Sequence, residues 1–222
     1  MIRNRLSELL SERGLKISRV AKEVEIARSS LTSMVQNDSE MVRYDAIDKL
    51  CTFLNVTPQD FFEHIPLNFE FTFDEEPEIN IINREDIIMG LKEAIQINFF
   101  NFEMLVDVID EKSEKHNFDL DITFKEIRQY SKSKDRFKFV FNIENEEELT
   151  TLKNYVNILT PGLKNVLFKR IQKHLSNYVS AIIKENVEDH EALFLPNDEK
   201  ITLYGVISQT YSFLESDIFK EY

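Results

Sequence analysis

The stretch ISRVAKEVEIARSSLTSMVQN, residues 17–37, decides how the front of the chain folds. Its apolar residues recur at helical spacing in two runs, Val20, Ala21 and Val24, then Leu31 with Met34 or Val35. The spacing predicts one short helix from about Ser18, a residue type that caps helices, and a second from Arg28 to about Gln36. Glu25-Ile26-Ala27 is then a tight turn with Ile26 directed inward. Ala21 stands where two helices approach closely. A larger side chain there would force them apart, and they could not cross at the roughly 90–120° of a helix-turn-helix.

Burying Leu31 and Met34 leaves Arg28, Ser29, Thr32, Ser33 and Gln36 on the outer side of the second helix. An arginine pairs with guanine O6 and N7, a glutamine with adenine N6 and N7, and a threonine methyl packs on a thymine methyl. That face has the chemistry of base reading in a major groove.

From Ile2 to about Glu63 the sequence resembles the five-helix DNA-binding domain of the Cro/phage-repressor (XRE) family. The matching segments are NRLSELLSERG for the first helix, the pair above, RYDAIDKLCTFLNV for the fourth, and a fifth opening at Thr57-Pro58-Gln59-Asp60 before Phe61-Phe62. The resemblance implies base contacts from Arg28, Ser29, Thr32, Ser33 and Gln36. Arg3, Lys16, Arg19 and Arg43 lie near helix starts that would approach phosphates, and are expected to contact the DNA backbone. Three positions depart from the family pattern: Glu25 where glycine often supplies φ > 0, Ala27 where serine often caps, and Ile17 where glutamine often meets phosphate. Keeping the turn with Glu25 costs about 1 kcal/mol. The first helix is expected to bury Ile2, Leu6, Leu9 and Leu10 and to stop at Gly14; Cys51 reads as a small core residue of the fourth.

The 222 residues carry 27 Lys/Arg against 40 Asp/Glu, a net charge of −13. Residues 1–65 hold 9 of the basic and 10 of the acidic residues, a net −1, which leaves 18 against 30, a net −12, for the remainder. An acidic remainder repels DNA, so it is not expected to wrap the duplex. A single cysteine excludes an internal disulfide, and there is neither a signal-peptide pattern nor an apolar run near membrane-spanning length. The expectation is a cytoplasmic protein without membrane contact.

The apolar period changes from helical to alternating near His64-Ile65-Pro66, which divides the chain into a domain at 1–65 and a second at 66–222. Leu67, Phe69, Phe71 and Phe73 alternate as a strand. Asn83, with Glu85 and Asp86, opens an expected helix carrying Ile87, Ile88, Leu91, Ala94 and Ile95. Three further alternating runs span Phe100 to Val108, Phe118 to Phe124 and Phe137 to Ile143. Glu70, Glu103, Asp107, Asp119 and Asp121 fall on the opposite, solvated face. Helices from Asn145 and from Thr160-Pro161 supply cover, and Asp198–Tyr222 reads as a last amphipathic helix, with a strand as the alternative over Ile201–Ile207. The fold class is therefore α+β: an all-α five-helix domain, then an α+β domain with a roughly four-stranded antiparallel sheet covered by helices.

Chemistry-bearing motifs fail on inspection. No Ala-Gly dipeptide is present for self-cleavage, His190-Glu191 opens an HExxH that Phe194 breaks, and no glycine-rich phosphate loop occurs. No enzyme activity, cofactor or metal is expected. The resemblance implies a dimeric repressor of the prophage or mobile-element kind on a pseudo-palindromic double-stranded operator. Its second domain would pair the copies through C-terminal helices and receive an antirepressor protein or an effector. Two alternatives stand beside it: a ligand-sensing regulator with a Phe-rich apolar pocket, and an antitoxin or phage-defence interaction protein whose DNA binding is secondary.

Overall fold

A computed structural model describes residues 1–39, 41–84, 94–129, 137–186, 191–194, 203–206, 211–216 and 218. They form two units, Met1–Leu67 with Pro161–Val166, and Asn68–Thr160 with Leu167–Tyr222.

The first unit runs β1 (Ile2–Asn4), α1 (Leu6–Glu12), α2 (Ile17–Glu23), α3 (Arg28–Gln36), α4 (Tyr44–Leu54), α5 (Pro58–Phe61) and β2 (Phe62–His64). The five expected helices are present. Their apolar stripes meet in one core, with Leu6, Val20, Leu31, Leu50 and Phe61 fully buried. Gly14 adopts φ +61° after α1, as a helix stop requires. Cys51 is a buried member of this core, and burial pushes its thiol pKa up.

Two expectations change here. Ile2 is not in the first helix; it sits in β1, 62% exposed, and β1 pairs antiparallel with β2 from Ile2↔His64 to Asn4↔Phe62. A three-residue strand whose partner lies some 60 residues away leaves no local period to read. The second helix begins at Ile17, with Lys16 in the cap position and no side-chain cap bond, rather than at Ser18.

In the second unit, eight strands among the described residues make one sheet, twice the number expected. Its centre is the antiparallel run β5 (Ala94–Ile109), β6 (Lys115–Gln129) and β7 (Phe137–Ile143). β3 (Asn68–Phe73) and β4 (Glu78–Arg84) pair one after the other along β5, from Asn68↔Ile109 to Arg84↔Ala94. The helix expected from Asn83 is corrected at both its ends: Asn83 belongs to β4, and Ala94 and Ile95 open β5; the intervening residues 85–93 fall outside the described residues.

The final helix expected over Asp198–Tyr222 is likewise replaced where residues are described. β9 (Leu203–Val206) pairs with β8 (Glu191–Phe194), and β10 (Tyr211–Glu215) lies parallel to β7. The parallel pairing makes the sheet mixed rather than antiparallel.

α6 (Glu146–Ile158) and α7 (Pro161–Asn186) follow β7. α6 buries Leu152 and Val156, and in this unit α7 buries Leu167, Ile171, Leu175, Val179 and Ile183. Phe100, Phe102 and Phe141 meet edge to face at 5.4–5.6 Å between ring centres, and Tyr178 of α7 stacks on Phe73 at 4.8 Å. These rings fill the core by contact with one another. On the other face Glu70, Glu103, Asp119 and Asp121 are exposed, but Asp107 is 6% exposed and bound by Lys115 at 2.6 Å and by Asn117. Among the described residues no helix is long and apolar enough to cross a membrane.

Candidate nucleic-acid interface

α3 is fixed from beneath by Leu31, fully buried, and Met34, 4% exposed. With those two inward, Arg28, Ser29 and Gln36 are exposed and Thr32 and Ser33 half-buried on the opposite side. All five expected base-reading residues thus share the outer face of α3. Thr32 Oγ1 donates to the Arg28 carbonyl at 2.8 Å, which occupies its proton and holds the side chain to one rotamer. What remains for a groove is its methyl group and an acceptor oxygen.

The turn into α3 has the left-handed residue that its geometry requires. Glu25 takes φ 54°, and the Ile26 N–H donates to the Ala21 carbonyl at 3.1 Å. Ala27 occupies the α3 cap position without a side-chain bond, which leaves the first N–H groups of α3 open to an outside acceptor.

The other end of α3 is held by a residue the sequence did not single out. Asn4 is 6% exposed; its Nδ2 donates to the Met34 carbonyl at 2.8 Å, and its Oδ1 accepts from the Leu6 N–H at 3.1 Å. Asn37, left-handed at φ 57°, returns the contact: its Oδ1 accepts from the Asn4 N–H at 2.8 Å and its Nδ2 donates to the Asn4 carbonyl at 3.1 Å. The two asparagines clasp β1, the start of α1 and the end of α3 together. Their partners are backbone groups, so only their amide chemistry and turn propensity hinted at the role.

The expected phosphate contacts separate into three kinds. Lys16 and Arg19 are exposed on one flank of α2, joined by Lys22, and among the described residues none of the three sits in an ion pair. Arg43 is exposed but bidentate on Asp45, at 2.9 and 3.0 Å, and holds that carboxyl below the usual range. Arg3 is a correction. Its side chain is 9% exposed, with Nε on Glu63 and Nη1 on Glu8, and the first turn of α7 lies so close that a Cβ at Gly162 would fall 2.0 Å from the guanidinium carbon. Arg3 is an internal cation and is not available to phosphate.

No curated protein and no solved structure matches the chain. A family model does match its N-terminal part, over the helices just described. Residues 5–66 are a Cro/C1-type helix-turn-helix DNA-binding domain.

Proposed function

We propose that the chain is a sequence-specific transcriptional regulator, in its simplest form a repressor, in which two copies read paired half-sites of one duplex. The observation that carries this reading is the outer face of α3, where Arg28, Ser29, Thr32, Ser33 and Gln36 stand on a buried Leu31 anchor. One such helix covers only a few base pairs, so useful specificity calls for a second copy about one helical turn away. Lys16, Arg19 and Lys22 set the register on phosphates, and Arg28 and Gln36 read bases at the two ends of the helix. The second unit pairs the copies and receives the relieving signal. The −12 charge outside residues 1–65 supports a basic partner, such as an antirepressor protein, over a second DNA contact. The mutual packing of Phe100, Phe102 and Phe141 supports a filled core in preference to an effector cavity.

The test is binding to DNA upstream of the protein's own gene, and to genomic fragments, in competition with random duplex at about 150 mM salt. Arg28→Ala should weaken specific binding by about ten- to a hundredfold and relax discrimination at one base pair. Thr32→Ala should give a smaller loss, confined to thymine preference. If the wild type binds no genomic sequence better than random duplex, the reading fails.

A further inference from the structure

The connection between β5 and β6 brings together three donors that no sequence motif announces. β5 ends at Ile109 and β6 begins at Lys115. Within the turn the Asp110 N–H donates to the Glu114 carbonyl at 3.1 Å and the Ser113 N–H to the Asp110 carbonyl at 3.0 Å, with Ser113 left-handed at φ 63°. Asp110 Oδ1 accepts from the Glu114 and Lys112 N–H groups, both at 2.9 Å. The Glu114 N–H above all holds that carboxyl below its ordinary 3.8, so Asp110 is a fixed negative charge with one oxygen committed. Its other oxygen, Oδ2, is left to face His116 Nε2 at 3.6 Å.

That distance is too long for a hydrogen bond. It matches, within a few tenths of an ångström, the separation of about 3.3 Å between two ligands each about 2.0–2.1 Å from one tetrahedral ion. Glu114 supplies a third donor: one ligand atom each of Asp110, Glu114 and His116 lies within 4.8 Å of the other two. The His116 ring is seated on Tyr155 of α6, 5.3 Å between ring centres, and the side chains of Asp110 and His116 are only 23% and 35% exposed. Glu114 is exposed and free to close over an ion arriving from solvent. The neighbouring cation Lys115 does not compete for the site, being held by Asp107 at 2.6 Å. An imidazole nitrogen with two carboxylates suits zinc or a similar late first-row ion, whereas magnesium and calcium take oxygen ligands alone. The −12 charge outside residues 1–65 raises the concentration of divalent cations at this surface.

We propose that Asp110, Glu114 and His116 bind a zinc-like divalent transition-metal ion at the β5–β6 turn. Water or a further donor takes the remaining position, since three protein ligands leave one open. The bound ion ties the ends of β5 and β6 to each other and, through the His116 ring, fixes them against α6. The expectation of no metal rested on motifs, and D-x3-E-x-H is not one; the turn, which folds the three positions back on one another, makes the site.

The test titrates the full, metal-free chain with Zn²⁺ in a calorimeter at about pH 7.5, with about 1 mM Mg²⁺ present to fill sites built of oxygen alone. The wild type should take up about one equivalent. Asp110→Asn, which keeps the Oδ1 acceptor of the turn, Glu114→Gln and His116→Gln should each weaken that uptake by about tenfold or more. His174→Gln, at an exposed position on α7, should leave it unchanged. Thermal unfolding of the metal-free variants should match the wild type; if His116→Gln disturbs the packing on Tyr155, Glu114→Gln, at an exposed side chain, decides alone. A wild type that takes up no Zn²⁺ overturns the proposal. So does uptake that survives the three substitutions, that Mg²⁺ suppresses, or that His174→Gln removes. DNA takes no part in the measurement, so its outcome is separate from the reading of α3.

Discussion

At Glu25 the backbone is left-handed, φ 54°, under a residue that carries a Cβ. The carboxylate offsets little of that strain, being 85% exposed and 4.0 Å from the Lys49 ammonium. Glu25→Gly should raise the unfolding free energy by about 1 kcal/mol and leave DNA affinity unchanged; a urea titration in which the midpoint did not move would refute the strain. Arg3 presents the opposite case, a charge whose removal harms. With its side chain 9% exposed between Glu8 and Glu63, Arg3→Ala leaves two carboxylates facing one another without a cation. Glu8 keeps 38% and Glu63 18% of its side chain exposed, so the cost should be about 1–3 kcal/mol. A variant that kept its stability but lost salt-dependent DNA binding would restore Arg3 to the phosphate contacts.

Elements were legible in the sequence where their determinants are local. α3 was read with the bounds Arg28 and Gln36 because Leu31 and Met34 set its period, and α5 because Thr57-Pro58-Gln59-Asp60 writes out its own start. β4 was missed because Ile79, Ile81 and Ile82 are its only large apolar residues and the last two are adjacent, so no alternation can be read from them. β10 was missed because Tyr211 and Leu214 also satisfy a helical spacing, and only its pairing with β7 decides. The Asn4–Asn37 clasp was hidden for another reason: its partners are main-chain groups that any residue could supply.

The α5 start also carries a pH dependence. The Thr57 hydroxyl donates to the Asp60 carboxylate at 2.6 Å and the Thr57 N–H at 3.0 Å, which together hold that carboxyl below its ordinary 3.8. A depressed folded pKa means the contribution is complete above the ordinary value and lost as pH falls through the lower, folded one. Thr57→Val should therefore lower the melting temperature at about pH 6 and narrow its distance from the wild type at about pH 3. A difference that stayed constant across that range would show that the hydroxyl does not act through Asp60.

For the whole molecule, the uneven charge sets how binding responds to salt. Residues 1–65 carry a net −1 and the remainder −12, so attraction comes only from cations placed at the groove. Lys16, Arg19 and Lys22 on α2 are such cations, whereas Arg3 is internal and Arg43 is balanced by Asp45. Three phosphates per half-site predict a slope of about −3 for log K against log salt, a loss of roughly fortyfold between about 50 and 200 mM. Lys16→Ala should reduce that slope by about 1 for every sequence tested, while Arg43→Ala should leave it nearly unchanged. Fluorescence anisotropy on a one-half-site duplex measures both. A slope nearer −6 would require further cations at the duplex, with Arg5, Arg28 and Lys49 of the same domain as the first to substitute.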